Sequence, residues 1–355
     1  MPEAETIQQE EEKQNDNTTL ETTEQQGDQY DPTSKTIKPK LESRLGRDSP
    51  FDFGQRYLTD ESKVFEFNAW DNVSWDSEQV SQFQTQIELQ QQNAVSDFDK
   101  KQFNANPSKY WNIFYKNNKR NFFKDRKWLQ IEFPAIFELT KPDSPANSTI
   151  LEIGCGVGNT MFPIMEANQN PGLTVHGCDY SKVAIDLIKE KPEYVNQADH
   201  YTGKCHASVW DLANTEGELP EELEPHSVDV AIMVFVFSAL NPDQWKQAIV
   251  NLAKVMKPNG KVLFRDYGRY DLAQVRFKKN RYLQENFYVR GDGTRVYFFT
   301  EEELIGIFKG DDEKKEVFKN VKIASDKRLL VNRKKQLKMY RCWIQAVFEF
   351  NGETI

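Results

Sequence analysis

Cysteine is scarce in this chain: Cys155, Cys178, Cys205 and Cys342 are the four, and no two are spaced as a Cys-x-x-Cys pair. Histidine is as rare, with four residues and no His-x-x-x-His. That inventory builds neither a zinc finger nor a disulfide framework, so the thiols read as ordinary buried side chains and no metal centre is expected. Long apolar runs are missing as well. The longest, Val230 to Phe237, falls far short of the ~20 residues a membrane-spanning helix takes. The first residues are acidic and Gln-rich where a secretory leader would be basic and then apolar, which implies a soluble, cytoplasmic protein with no membrane partner.

An excess of positive charge is also absent. The 46 Lys and Arg against 55 Asp and Glu give a net charge of −9, which argues against a uniformly basic nucleic-acid binder. The average conceals a division. Residues 1–30 hold nine carboxylates and a single base, Lys13, while three later windows concentrate bases. Residues 109–128 carry seven against Asp125, mixed with seven aromatics; residues 276–295 carry six, interleaved with Phe277, Tyr282, Phe287 and Tyr288; residues 327–341 carry seven and no acid. Lys and Arg follow a phosphate backbone while unpaired bases stack on rings at about 1 to 3 kcal/mol each. Single-stranded or looped RNA is therefore the expected partner, and not duplex DNA, for which no recognition helix or finger is evident.

With 355 residues, the expected organisation is one enzyme-sized core with appendages. Residues 1–50 have too few apolar side chains to offset chain entropy and read as a disordered acidic tail. From Phe51 aromatics become dense, and residues 51–148 read as an N-terminal helical module. Within it, Asn106-Pro107 is an N-cap followed by proline at the first helical position, opening a helix whose Trp111, Phe114 and Tyr115 share one face. From residue 149 onward the pattern is strand, turn, helix, repeated: strands at 149–153, 173–178, 206–210, 228–235 and 260–264, with helices at 159–168, 182–189 and 242–256. A further helix at 300–308 and two late strands, 328–332 and 339–350, read as an edge hairpin. The fold class is α/β, a doubly wound, mainly parallel, seven-stranded Rossmann-like sheet.

The segment Leu151-Glu152-Ile153-Gly154-Cys155-Gly156-Val157-Gly158 follows a strand and precedes a helix, where such sheets bind ligands. Its third glycine comes one residue too early for a dinucleotide fingerprint, and no Gly-Lys-Ser/Thr follows to make a P-loop. Asp179 closes the next strand, where a carboxylate meets ribose hydroxyls, and Asp211 closes the one after, within reach of an adenine edge. A nucleoside without phosphates and with an amino-acid tail fits this set, which points to S-adenosylmethionine and a methyltransferase; a degenerate dehydrogenase is the competing reading.

Longer strings are more selective than the glycine loop. Phe-Gly-Gln-Arg-Tyr-Leu-Thr-Asp from Phe53, Lys109-Tyr-Trp-Asn-Ile-Phe-Tyr, Asn121-Phe-Phe-Lys-Asp-Arg, Phe264-Arg-Asp-Tyr-Gly-Arg-Tyr-Asp and Asn286-Phe-Tyr-Val-Arg-Gly-Asp-Gly-Thr-Arg resemble the tRNA N3-methylcytosine methyltransferases that act at position 32 of the anticodon loop, above all their fungal threonine-tRNA branch. The resemblance runs from about residue 53 to residue 350. It implies a class I S-adenosylmethionine-dependent methyltransferase domain over 149–355, with 269–299 joining residues 51–148 in a tRNA-binding module. It implies cofactor contacts from Trp111, Tyr115, Gly154, Gly156, Asp179, Asp211, Leu212 and Val234, and RNA contacts from Lys124, Arg126, Lys127, Arg290 and Arg295. The anticodon stem-loop of threonine tRNA is the implied substrate, with an aminoacyl-tRNA synthetase or other helper as an implied partner. Asp266 and Tyr267, at the carboxyl edge of the sheet, are the candidates for touching the target base. The alternatives are a methyltransferase acting on a protein or small molecule, and a non-catalytic tRNA- or partner-binding protein.

Overall fold

The computed structural model describes residues 51–120, 122–126, 128–310 and 315–352; the expected tail at 1–50 lies outside them. Among the described residues, the helices longer than five residues are α1 (Ser77–Gln92), α2 (Asp97–Ala105), α3 (Pro107–Asn118), α4 (Met161–Ala167), α5 (Lys182–Lys189), α6 (Trp245–Val255) and α7 (Glu301–Lys309). The strands are β1 (Ala69–Asp71), β2 (Ser148–Ile153), β3 (Leu173–Asp179), β4 (Lys204–Val209), β5 (Val228–Val234), β6 (Met256–Tyr267), β7 (Tyr282–Gln284), β8 (Phe287–Val289), β9 (Arg295–Tyr297), β10 (Phe318–Asn332) and β11 (Leu337–Phe350).

Eight strands form the main sheet in the order β1-β10-β11-β6-β5-β2-β3-β4. The run from β6 to β4 is parallel and the other three pair antiparallel. Alternate side chains feed two cores, as the pleat requires. Leu151, Met233 and Phe264 face one side with Leu252 of α6 and Phe308 of α7. Ile150, Ile232 and Leu263 face the other with Met165 of α4 and Ile188 of α5. Strand order reverses on either side of β2, and the glycine turn leaves from the end of β2 at that switch point, where open α/β sheets hold ligands.

The seven expected strands are present, and an eighth joins them. The late hairpin is longer than its sequence pattern suggests and lies inside the sheet, because β1 pairs with β10 in the register Ala69↔Leu330. Trp70 drives this pairing: it packs on Val64, Leu329 and Val331, and its indole N–H donates to the Val64 carbonyl at 2.8 Å.

Strands β7, β8 and β9 form a separate antiparallel sheet. The N-terminal helices dock onto it and the turn preceding it. Gln90 Nε2 donates to the carbonyls of Gln274, Val275 and Phe277 at 3.0, 3.0 and 3.1 Å. Trp75 and Phe83 pack on the Tyr270 ring at centroid separations of 6.0 and 5.8 Å. Among the described residues no helix is long and apolar enough to cross a membrane, and no group of His, Cys, Asp and Glu is arranged to hold a metal ion.

Candidate functional site

A cavity of about 810 Å³, its open mouth included, sits over the carboxyl ends of β2, β3 and β5. All eight residues expected at the cofactor line it: Trp111, Tyr115, Gly154, Gly156, Asp179, Asp211, Leu212 and Val234. The floor is the glycine turn. Gly154 and Gly156 both adopt left-handed backbone, at φ 66° and 55°. A Cβ on Gly154 would stand 2.4 Å from Val236 Cγ2, and one on Gly156 2.6 Å from the Tyr115 hydroxyl, so a side chain at either position would strain the turn and displace its neighbour.

Asp179 is the polar centre. Its Oδ2 accepts from the Gly156 N–H at 3.0 Å and its Oδ1 from the Ser181 N–H at 2.8 Å. Burial pushes its carboxyl up to about 6, against the pull of those two donors. Asp211 is half-buried, and its Oδ1 accepts from the Ala213 N–H at 2.9 Å. Tyr180, next in the chain, also lines the cavity, and its buried hydroxyl has no partner. An orphaned hydroxyl, a buried carboxylate and a turn bare of side chains beside apolar walls suit a ligand carrying hydroxyls and an aromatic base.

The roof comes from α3. Asn106 caps it, accepting from the Lys109 N–H at 3.2 Å, with Pro107 in the first turn as the sequence predicts. Trp111 and Tyr115, one turn apart, stack at a centroid separation of 6.0 Å. Asn112, between them, anchors α3 to the start of α5: its Oδ1 accepts from Ser181 Oγ at 2.8 Å and the Val183 N–H at 3.2 Å. Arg120 closes the other end of α5, donating to the Leu187 carbonyl at 3.0 Å.

The residues expected at RNA fall in different settings. Arg126 lines the cavity, with Nη1 3.5 Å from Glu152 Oε1 and 3.2 Å from Thr160 Oγ1. It reaches inward because Glu152, 1% exposed, holds a carboxyl that burial pushes up to about 7 and that Arg126 draws back down. Arg295 is interior too, at 2% exposure. Lys124 is exposed, Arg290 is half-buried with its guanidinium 5.5 Å from the Tyr267 ring centroid, and Lys127 lies outside the described residues.

Asp266 is fully buried behind the cavity wall. Its Oδ2 accepts from the Ser238 N–H at 2.9 Å and its Oδ1 from the Tyr267 N–H at 2.9 Å, and burial pushes it up to about 6. It thus ties β6 to the turn after β5. Tyr267 is half-buried and reaches the cavity through Phe235, a lining residue whose ring lies 4.9 Å away. Phe235 is a finding the sequence does not announce. Its φ of 57° is strained for a bulky side chain, and its N–H donates to the Arg265 carbonyl at 2.8 Å. Phe123, Ile153, Cys155, Asn159, Tyr180, Trp210, Val236, Ala239 and Leu240 are also newly found lining; those beside the glycine turn or a strand-end acid had a usable signal.

Comparison with known proteins agrees with this geometry. A family described as a methyltransferase domain matches residues 151–262. A tRNA(Thr) (cytosine(32)-N(3))-methyltransferase of Saccharomyces cerevisiae is 58% identical over 86% of this chain, which spans 47% of that longer protein. A tRNA N(3)-methylcytidine methyltransferase of Schizosaccharomyces pombe is 49% identical over 84% of this chain and 91% of its own length. A tRNA N(3)-cytidine methyltransferase of Danio rerio is 42% identical over 83% of this chain and 88% of its own. With the Schizosaccharomyces pombe and Danio rerio relatives matched over 91% and 88% of their own lengths, the chain belongs to the tRNA N(3)-cytidine methyltransferase family.

Proposed function

We propose that this protein transfers a methyl group from S-adenosylmethionine to N3 of cytidine 32 in the anticodon loop of threonine tRNA. The observation that carries the reading is the convergence of α3, the glycine turn and the ends of β3, β4 and β5 on one cavity. When bound, S-adenosylmethionine supplies an electrophilic methyl group on a sulfonium.

Asp179 would hold the ribose hydroxyls, Asp211 and Leu212 the adenine, and Gly154 the amino-acid tail, under the roof of Trp111 and Tyr115. Cytosine N3 already offers an in-plane lone pair, so the chain needs no general base to create the nucleophile. Its task is to align the base and to favour the positive charge that N3 methylation leaves there. The rings of Phe235 and Tyr267, 4.9 Å apart, would meet a base removed from its stack, and ring faces favour a cation. Asp266 serves that task from behind, holding the turn that carries Phe235.

Residues 51–148 and 269–299 would act as one RNA-binding module, in keeping with the Gln90 clamp and the docking of Trp75 and Phe83 on Tyr270. The test is purified full chain with labelled S-adenosylmethionine and total tRNA, followed by mapping of the modified nucleotide. Label at cytidine 32 of threonine tRNA, falling steeply with added salt, is the expected result. Label in protein or small molecules, insensitive to salt, refutes the substrate.

A further inference from the structure

Arg295 is a buried cation held by hydrogen bonds and not by an ion pair. It belongs to β9, is 2% exposed, and the partners of its guanidinium among the described residues are neutral. A buried cation is costly unless paired and fully hydrogen-bonded. Here Nη1 donates to Asn104 Oδ1 of α2 at 2.9 Å, and Nη2 donates to the Ala239 carbonyl at 3.0 Å, with Gln244 Oε1 at 3.4 Å. Nε is buried without a partner, and the guanidinium lies 5.5 Å from the Phe287 ring centroid. The ionisable groups whose charge it feels are Tyr180 and Asp211, both in the cavity wall.

These acceptors belong to elements far apart in the chain. Asn104 is in the N-terminal helices, whereas Ala239 ends the turn Phe237–Ala239 and lines the cavity together with Leu240. We propose that Arg295 is a positioning residue for the cofactor: it fixes the Ala239–Leu240 rim against the module built from α2 and β7–β9, and it makes no contact with RNA phosphate. Reversing the expectation for a basic residue in an aromatic-rich window, it binds the protein's own carbonyls. The proposal rests on the reading of the cavity as the S-adenosylmethionine site. Through this strut, cofactor affinity depends on a module outside the methyltransferase core.

The test uses the full chain with Arg295→Met, which keeps length and removes the donors, and Asn104→Ala, which removes one acceptor. S-adenosylhomocysteine binding is measured by calorimetry and threonine-tRNA binding across a salt series. The expected result for Arg295→Met is a cofactor Kd about tenfold weaker, with KM for S-adenosylmethionine raised and kcat at saturation unchanged, and a salt slope for tRNA equal to wild type. Asn104→Ala should move the same quantities in the same direction by less, and it carries the test if Arg295→Met does not fold. A salt slope lowered by about 0.7 to 0.9, as for one lost phosphate contact, with unchanged cofactor binding overturns the proposal. Wild-type protein that binds no S-adenosylhomocysteine instead overturns the cavity reading beneath it.

Discussion

Replacing Asp179 with Asn separates binding from stability in a way that a merely structural carboxylate would not. Burial raises this carboxyl from 3.8 to about 6, which corresponds to a cost of about 3 kcal/mol for keeping it ionised in the folded protein. An acid whose folded pKa lies above its unfolded value imposes that cost fully above pH 6 and sheds it as pH falls toward 3.8. Asn removes the cost. It also turns an amide NH2 toward one of the two backbone N–H groups that Asp179 now accepts from, Gly156 or Ser181, a loss of about 1 to 3 kcal/mol. The apo variant should therefore match wild type closely at pH 8, and its deficit should widen as pH falls to 5, because wild type gains stability and the variant does not. Cofactor binding moves otherwise. Losing one charged hydrogen bond at about 1.5 to 3 kcal/mol weakens affinity about 10- to 150-fold at pH 7.5. Wild-type affinity should fall below pH 6, where a proton competes for the carboxylate, and the variant's should stay flat. Calorimetry with S-adenosylhomocysteine from pH 5 to 8, beside denaturant titrations of the apo protein, reads both. A wild-type affinity independent of pH, or an unchanged Kd in the variant, refutes the reasoning.

Arg126→Ala strands the buried Glu152 charge, so stability should drop by about 3 to 5 kcal/mol at pH 8 and by less at pH 6, where a carboxyl near 7 is already protonated; equal losses at the two pH values would contradict the pairing. Trp111→Ala opens the roof without touching the floor, and the rise in melting temperature on adding S-adenosylhomocysteine should shrink while the apo melting point stays put. Gly154→Ala combines a left-handed φ of 66° with a Cβ 2.4 Å from Val236; it should cost at least about 1 to 2 kcal/mol and lower cofactor affinity, and a stable variant with wild-type binding would show that the turn can move.

The parts of the site legible in the sequence are those with local signals. A glycine turn after an apolar strand, acids at successive strand ends and a capped helix with Trp111 and Tyr115 on one face each declare themselves within ten residues. Residues whose roles depend on distant partners did not. Arg126 and Arg295 belong to basic windows that read as solvated or RNA-facing, yet each turns inward, the first to an acid 26 positions away and the second to an amide 191 positions away. Asp266 reads as a strand-end acid like Asp179, but it is not among the cavity-lining residues, and its Oδ2 is taken by the Ser238 N–H of the turn after β5. Phe235 gives no hint of left-handed backbone, since its type favours the opposite, and only the demand of the turn beyond β5 imposes it. The eighth strand escaped because three residues carry no periodicity.

That short strand ties the biography of the chain into a loop. Ala69 is made well before its neighbour Leu330, so Trp70 has no surface to rest on until the chain has grown through β10. Contacts spanning this much chain form slowly. A product halted before residue 318 would lack both late strands and expose an indole and its apolar companions, a ready signal for chaperones to hold it or proteases to clear it.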